Sequence, residues 1–435
     1  MIDNTSGVGY PAAVQSARSQ PLNSGKAAAA ENPAGMARDR VELGRFSKSK
    51  SPATPPLVPK PSPKVLIAEN AADSGKPVEK KKWTILQYSA ADNNLLSAMV
   101  DDVKEMERVG SSADMNLVVQ LDEGGSKGAA RYFLDKHAAN SSGIVSPALE
   151  KMGSINMADP KVLADFVKWG MGKYPAEHYA LIISDHGGGW TGAISDDSHG
   201  GWASTPQLRE SLDMALKDGK KLDVLGFDAC LMANHETTHE LQGKTDFLIA
   251  SEQTEGADGW PYSKLLTGKF LQELQRALKA KLSISPKDFA IKAVQDASTN
   301  QGTLPTMSSM EMAQVPGLSE ATNELAGKIL ATKTSSSILK SIVSKTQSFY
   351  GYKDEYDFCK RLVESPQVGD EELKAAARKV MDAIGLTVIA EEHSSTYPGA
   401  HGLTIEMGSP NQQYQQLKLA QDTKWEEAMN KINRA

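Results

Sequence analysis

Two apolar runs, each followed by a reactive side chain, constrain the fold of this chain most. Residues 179–184 (YALIIS) run into His186, and residues 222–227 (LDVLGF) run into Asp228 and Cys230. Short apolar runs of this kind are typical of strands in a parallel sheet that is buried on both faces. The carboxyl ends of such strands lie at one edge, where open α/β sheets carry their ligand-binding residues. The pattern therefore predicts a thiol beside an imidazole at one sheet edge.

Strand-like runs alternate with helical patterns through the first half of the folded part. The predicted strands are residues 83–88, 115–121, 130–134, 179–184, 222–227 and 247–250. The predicted helices are one capped by Asp92, Asn93 and Asn94 and ended by Gly110, one opened by Asp159 and Pro160, and one from Thr205 to about residue 218. This alternation predicts βαβ units, hence a largely parallel sheet with helices on both faces.

Composition divides the chain into three parts. Residues 1–80 hold 10 of the 21 prolines and two aromatic residues, so we expect them to be disordered, because they offer little apolar area to bury. Residues 81–268 are the predicted catalytic core. Residues 269–435 are predicted to form a helical α/β subdomain packed on that core, with late strands near residues 386–391 and 402–406.

Charge and hydropathy exclude several classes of protein. Residues 1–82 carry 13 Lys and Arg against 7 Asp and Glu, whereas the remainder carries 35 against 47. The negative charge of the residues after 82 argues against a nucleic-acid partner and favours cationic peptides as binding partners. No apolar run suits a membrane span or a secretory signal, so we expect a cytoplasmic protein or export by a non-classical route. Two cysteines exclude a disulfide framework, and Cys359 is predicted to fill the core.

The residues around the thiol and the imidazole suit attack on a carbonyl group. A thiolate splits peptide hydrolysis into two easier steps, and an imidazole can take the thiol proton and later protonate the leaving amine. The tetrahedral oxyanion then needs preorganised N–H donors. Gly187 permits a close backbone approach after His186, and the amide of Cys230 is the natural second donor.

Several stretches resemble the clostripain family of cysteine endopeptidases, which have a caspase-like fold. The central ones are SDHGGGW at residues 184–190 and GFDACLM at residues 226–232. The outlying ones are residues 83–86, 90–93, 250–255, 259–262, 356–358 and 400–405. The resemblance covers residue 83 to the C-terminus in order. It implies an α/β fold of three αβα layers around a mostly parallel sheet, with an α-rich C-terminal part.

The resemblance also implies roles for individual residues. His186 would be the general acid and base and Cys230 the nucleophile, with the amides of Gly187 and Cys230 in the oxyanion site. Asp228 matches the acidic residue that selects Arg or Lys before the scissile bond, so the implied partners are proteins or peptides with those residues. A carboxylate in such a pocket needs a cation, and a guanidinium suits it. The loop of residues 251–262, with Ser251, Glu252 and Trp260, would wall the pocket.

The sequence leaves two questions open: where the chain is cleaved for activation, and whether it binds calcium. Family members often cut themselves after a basic residue shortly beyond the histidine, but here no Lys or Arg occurs between His186 and Arg209. Cleavage would therefore fall at Arg209 or be unnecessary. We expect no cofactor for the reaction. Some relatives bind calcium, and Asp196 and Asp197 are candidate ligands in this loop.

Two rival hypotheses belong to other classes. His235, Glu236 and His239 match the zincin pattern HExxH, in which two histidines hold zinc and the glutamate activates water. A third ligand would come from Glu252, Glu255 or Asp258. The other rival is a caspase-like pseudoenzyme that only binds partners; the presence of both His186 and Cys230, with Gly187 and Asp228 around them, argues against it.

Overall fold

The structure, a computed structural model, describes residues 80–137, 143–217, 219–267, 284–297, 304–409 and 411–434. Apart from its last residue, the predicted disordered segment 1–80 lies outside these ranges, as do residues 268–283. The prediction of disorder therefore stays a prediction.

A sheet of nine strands forms the centre of the described part. The strands in the described ranges are β1 Lys81–Ala90, β2 Met115–Asp122, β3 Ala129–Phe133, β4 Ala148–Gly153, β5 Ala176–Ser184, β6 Ala193–Asp196, β7 Gly201–Ala203, β8 Leu222–Asp228, β9 Thr245–Ala250, β10 Thr306–Glu311, β11 Ser348–Phe349, β12 Tyr352–Asp354, β13 Val388–His393 and β14 Thr404–Ile405. The central order is β13-β10-β9-β8-β5-β1-β2-β3-β4. Strands β9, β8, β5, β1 and β2 run parallel, and antiparallel strands complete both sides.

Helices cover both faces of this sheet. They are α1 Leu96–Val109, α2 Pro160–Lys173, α3 Thr205–Ala215, α4 His235–Glu240, α5 Tyr262–Thr267, α6 Pro286–Ala297, α7 Val315–Ala331, α8 Ser336–Lys345, α9 Glu355–Glu364, α10 Glu371–Thr387, α11 Lys418–Asp422 and α12 Trp425–Asn433. Apolar residues of α2 and α3 pack on one face, and those of α1 and α6 pack on the other. The predicted three-layer α/β class is therefore confirmed.

Alternation along the buried strands explains why two cores form. On β5, Leu181 and Ile183 point into one core, while Ala180 and Ile182 point into the other. Successive strand residues face opposite sides of a sheet, so an unbroken apolar run suits a strand covered twice. Each fully buried Leu or Ile side chain contributes about 1.5–3 kcal/mol to folding.

The start of α1 differs from the prediction. Leu95 is the N-cap residue and its side chain makes no capping bond, while Asn93 Oδ1 accepts from the Leu95 N–H at 2.9 Å. Asp92 and Asn94 do not cap the helix, so that prediction is wrong for them. Both instead lie among charged and polar groups at the sheet edge. Gly110 does end the helix, with φ of 69° and an N–H bonded to Met106 O.

The C-terminal part is continuous with the core through the sheet. Strands β10 and β13 lie beyond residue 268, yet β10 pairs with β9 and β13 pairs with β10. Strand β14 instead joins β11 and β12 in a smaller sheet. The division at residue 268 stays a prediction, while strands from both sides of it share one sheet.

Candidate active site

His186 and Cys230 follow neighbouring parallel strands at matched positions. Ser184 of β5 is opposite Asp228 of β8, so the two reactive residues each lie two positions beyond that pair. The loops then touch. A Cβ placed on Gly187 would lie 2.3 Å from Cys230 O and 2.9 Å from Cys230 N. Only glycine permits this approach, which brings the two loops into backbone contact.

Two strained residues shape these loops. Leu231, directly after the cysteine, has φ of 69°, and Ile194, in the strand beside the histidine loop, has φ of 70°. The left-handed region costs a non-glycine residue about 1–2 kcal/mol. The Leu231 N–H donates to Gln253 O at 3.2 Å, and the Ile194 N–H donates to His186 O at 3.2 Å. These hydrogen bonds hold the bends, so the surrounding fold maintains the strain at the site.

Asn94 and Asp185 hold the histidine. His186 Nε2 lies 2.8 Å from Asn94 Oδ1, and the His186 N–H donates to Asp185 Oδ1 at 2.6 Å. With the amide oxygen as acceptor, the neutral ring carries its proton on Nε2 and keeps a lone pair on Nδ1. Asp185 is buried, and burial raises its pKa well above the usual range, against the effect of the His186 and Ser195 amides and the Asn93 side chain. The imidazole therefore has a fixed support.

The loop after β9 lies against the cysteine. The Glu255 N–H donates to Cys230 Sγ at 3.3 Å, and Cys230 Sγ lies 3.8 Å from Glu255 O. Cys230 is half-buried, whereas Cys359 lies fully inside the core, where burial raises its thiol pKa well above the ordinary value. The two cysteines thus have different environments, and only Cys230 lies at the sheet edge.

A cluster of buried carboxyl groups lies beside the cysteine. Asp228 accepts hydrogen bonds from Tyr262 Oη at 2.7 Å and Ser184 Oγ at 3.2 Å. A Cβ on Gly259 would lie 2.9 Å from Asp228 Oδ2 and 3.3 Å from Asp102 Oδ2, so both carboxyl groups meet the same backbone. Glu255 is the third member: its carboxyl oxygens are buried, and its carboxyl group interacts with the side chains of Asp228 and Trp260. We call these three residues, Asp102, Asp228 and Glu255, the acidic pocket.

The pKa values of the acidic pocket are all raised. Burial and then the charge of Asp228 raise the pKa of Asp102 to about 10. Burial raises the pKa of Asp228, although the Tyr262 hydroxyl opposes the shift. Burial and the Asp228 charge raise the pKa of Glu255 well above the usual range. Without a cation, the pocket therefore retains protons at neutral pH, and a positively charged side chain entering it would displace them.

The remaining predicted pocket residues divide into two groups. Ser251 Oγ bonds Thr306 Oγ1 at 2.7 Å, and Glu252 Oε2 accepts from the Gly402 N–H at 2.9 Å. These contacts join the end of β9 to β10 and to the 402 turn, and the role of Ser251 and Glu252 in substrate binding stays a prediction. Trp260 follows Gly259 in the pocket wall, and its ring packs over Gly226, where a Cβ would lie 2.8 Å from it.

Sequence reasoning gave Asn94 and Asp102 no role in the site, and it included Tyr262 only as the end of the 251–262 loop. Asp102 left a sign, because it occupies a buried position on α1 between Met99 and Met106, where an apolar residue is expected. For Asn94 the sequence offers no signal beyond its position after a strand, because its contact with His186 joins residues 92 positions apart.

The HExxH helix is part of the protein interior. His235 bonds Glu355 Oε2 at 2.9 Å and Ser319 Oγ at 3.0 Å through its two ring nitrogens. His239 bonds the same Ser319 hydroxyl at 2.8 Å and Asp422 at 2.9 Å. Glu236 accepts from Tyr414 Oη and the Glu406 N–H. Each imidazole nitrogen already has a protein partner, so the zincin hypothesis is wrong in its assignment of zinc ligands.

The two acids proposed for calcium have different environments. Asp196 is buried and accepts from the amides of Met157 and His199, whereas Asp197 is exposed. Asp196 groups instead with Asp92 and His199, whose ligand atoms lie within 4.8 Å of one another. Arg209 lies within α3 and donates to Glu240 O at 2.7 Å, so cleavage there requires that helix to open.

Comparison with known proteins identifies the family. The model of the clostripain family matches residues 87–431. The chain belongs to the clostripain family. Clostripain from Hathewaya histolytica is 28% identical over an alignment of 219 residues that covers 42% of this chain and 41% of clostripain, so the match spans less than half of that relative.

Solved structures show the same fold. A secreted cysteine protease from Bacteroides thetaiotaomicron, bound to an irreversible peptide inhibitor, is 19% identical with a TM-score of 0.60 and covers 80% of this chain and 99% of its own. The inactive zymogen of a protease from Parabacteroides distasonis is 20% identical with a TM-score of 0.59, covering 80% and 99%. In this clostripain-family chain, none of the helices that the structure describes is long and apolar enough to cross a bilayer.

Proposed function

We propose that the protein is a cysteine endopeptidase that cuts proteins or peptides after Arg or Lys through a Cys230–His186 dyad. The observation that carries this proposal is the backbone contact between Gly187 and Cys230 beside the acidic pocket. This contact supports the proposal because acyl transfer with basic specificity needs a nucleophile, a base and a cation site close together.

The reaction proceeds in two stages. His186 takes the proton of the Cys230 thiol, and the sulfur attacks the scissile carbonyl carbon to form a tetrahedral oxyanion. The Gly187 and Cys230 amides stabilise that oxygen, and one such donor is worth about a hundredfold or more in kcat. Histidinium then protonates the leaving amine, which leaves an acyl-thioester that water hydrolyses with the same residue as base. No cofactor takes part.

Specificity comes from the acidic pocket. A guanidinium or ammonium group entering it would displace protons from Asp228 and its neighbours and form charge-assisted hydrogen bonds. A buried carboxylate without a cation is unfavourable, and a neutral substrate side chain cannot supply the missing positive charge. A peptide with a neutral side chain before the scissile bond therefore gains no ion pair in the pocket. The acidic body of the protein adds long-range attraction for basic substrates.

The test is a panel of fluorogenic peptides that differ only in having Arg, Lys or norleucine before the scissile bond. Cys230→Ala and His186→Ala should each abolish turnover without changing the melting temperature. The control variant Cys359→Ala should retain turnover. Asp228→Asn retains an acceptor for Tyr262, so we expect a loss of about 2–5 kcal/mol in transition-state binding for the Arg and Lys peptides but not for the norleucine peptide, which is roughly thirtyfold or more in kcat/KM.

Each alternative predicts a different result. Normal cleavage of Arg peptides by Asp228→Asn would show that the specificity assignment is wrong. Survival of activity in Cys230→Ala together with loss on chelation would favour metal catalysis. A folded protein that binds these peptides and never cuts them would support the pseudoenzyme hypothesis.

A further inference from the structure

The three glycines directly after His186 form a loop that is held in place by hydrogen bonds. We call residues 187–189 the glycine loop. The Gly188 N–H donates to Gly192 O at 2.9 Å, and Tyr352 Oη donates to Gly188 O at 2.6 Å. Both backbone groups of Gly188 therefore have partners, which fixes the backbone beside the imidazole.

Trp202 of β7 packs against the glycine loop and still faces solvent. A Cβ placed on Gly188 would lie 3.4 Å from Trp202 Cζ2 and 3.7 Å from Trp202 Cη2, which are ordinary contact distances. The indole Nε1–H donates to Thr191 O at 2.9 Å, which orients the ring. Trp202 is nevertheless 39% exposed. The protein thus presents a pre-oriented aromatic ring beside the glycine loop, and such a ring loses little conformational entropy when it binds a ligand.

The acidic pocket lies toward one face of the sheet and Trp202 toward the other. Asp102 belongs to α1, whose apolar residues pack in the core on one face. Ala193 and Ala203, at the start of β6 and the end of β7, pack in the core on the opposite face. The dyad follows β5 and β8, between these two faces. A peptide bound across the dyad can therefore reach the pocket on one side and Trp202 on the other.

Proton transfer from His186 decides which half of a substrate meets Trp202. When the scissile carbon–nitrogen bond breaks, histidinium gives its proton to the leaving nitrogen. That nitrogen must lie within hydrogen-bond reach of the ring, so the residue that carries it lies next to the glycine loop. The basic side chain before the scissile bond occupies the acidic pocket instead.

We propose that Trp202 is a binding subsite for an aromatic or large aliphatic side chain on one of the two residues that follow the scissile bond. This inference rests on the proposed function and adds a second determinant of specificity, on the leaving side of the substrate. Contact with the indole removes apolar area from water, and two aromatic rings also attract one another. Glycine at the same substrate positions offers no such contact.

The contact acts only in the first stage of the reaction. In that stage the sulfur–carbon bond forms, the carbon–nitrogen bond breaks, and the leaving peptide departs with the proton from His186. The later hydrolysis of the acyl-thioester no longer involves the residues that lay against Trp202. The effect therefore falls on kcat/KM, which reports formation of the acyl-thioester, and not on the rate of its hydrolysis.

The experiment compares internally quenched peptides that all have Arg before the scissile bond. One series carries Phe, Leu or Gly at the first position after that bond, and a second series carries them at the second position. We expect the full-length protein to cut the Phe and Leu peptides of at least one series about tenfold better in kcat/KM than the Gly peptide, because apolar contacts discriminate between substrates by about this factor.

Three variants locate the preference. Trp202→Ala should bring the Phe-to-Gly ratio of kcat/KM close to one, whereas Trp202→Phe, which keeps an aromatic ring, should retain most of the ratio. Leu149→Ala is the matched control, because Leu149 is 44% exposed on β4, the end strand of the sheet, with three strands between it and β5. This control should keep the parent ratio. Melting temperatures establish that each variant is folded.

The outcomes separate this inference from the proposed function. The inference alone is overturned if the parent cuts the Phe, Leu and Gly peptides equally in both series, or if Trp202→Ala keeps the parent ratio. Loss of the ratio in Leu149→Ala would also contradict it, since the preference would then not belong to Trp202. If the parent cuts none of the Arg peptides, the proposed function is wrong and this inference is wrong with it.

Discussion

Replacing Asp102 by asparagine tests whether the acidic pocket holds a proton in the absence of substrate. Asp102 lies on the buried face of α1 and is 5% exposed. Burial, together with the neighbouring Asp228 charge, raises its pKa to about 10. An unfolded aspartate titrates near pH 4. Asparagine has nearly the same shape as the protonated acid and cannot ionise, so it isolates the effect of the proton.

The sign and size of the effect follow from linkage. The pKa of Asp102 is higher in the folded state, so between about pH 4 and pH 10 the folded protein holds a proton that the unfolded chain has released. The free energy of unfolding therefore falls as pH rises through this window, by about 1.36 kcal/mol per pH unit for one proton. From pH 6 to pH 8 the free energy of unfolding of the parent falls by about 2.7 kcal/mol through this proton, and the Asp102→Asn variant does not show this fall. For a chain of this size, that corresponds to about 3–4 °C in melting temperature.

The assay is thermal unfolding at pH 6, 7 and 8 without substrate, with both proteins carrying Cys230→Ala. The melting temperature of Asp102→Asn minus that of the parent should grow by those few degrees between pH 6 and pH 8. Asp101→Asn is the matched control: Asp101 is exposed on the same helix and pairs with Lys104, so its curve should run parallel to the parent curve. A difference for Asp102→Asn that is the same at all three pH values would refute the protonated pocket.

Two further substitutions test the site and the HExxH helix. Gly187→Ala forces a methyl group to within 2.3 Å of Cys230 O, and a shift of about 1 Å at a catalytic centre costs about a hundredfold in rate. Peptide cleavage should fall by that factor, whereas Gly172→Ala, with no neighbouring atom within 4 Å, should leave it unchanged; equal activity of the two variants would contradict the role of this contact. His235→Ala leaves the buried Glu355 carboxylate without its partner and should cost about 3–5 kcal/mol of unfolding free energy, while the zinc-binding stoichiometry stays that of the parent. If the parent binds zinc and His235→Ala binds fewer equivalents, the zincin hypothesis would be supported.

Local patterns were sufficient for much of the fold. The apolar runs at residues 83–88, 179–184 and 222–227 became β1, β5 and β8, because a buried strand needs apolar residues on both faces. Asp159 and Pro160 do open α2, since an N-cap and a first-turn proline act within a few residues. The 92–94 segment misled for the same reason: its side chains resemble caps, yet tertiary contacts use them elsewhere.

The sequence by itself determined which residues form the central strands and that a thiol and an imidazole follow two of them. Both depend on periodicity and strand polarity, which are local. Only the tertiary structure decided that Asn94 supports His186, that Asp102 joins Asp228, and that HExxH lies in the interior. Those relations depend on how helices and loops far apart in the chain pack on the sheet, and no local pattern encodes that geometry.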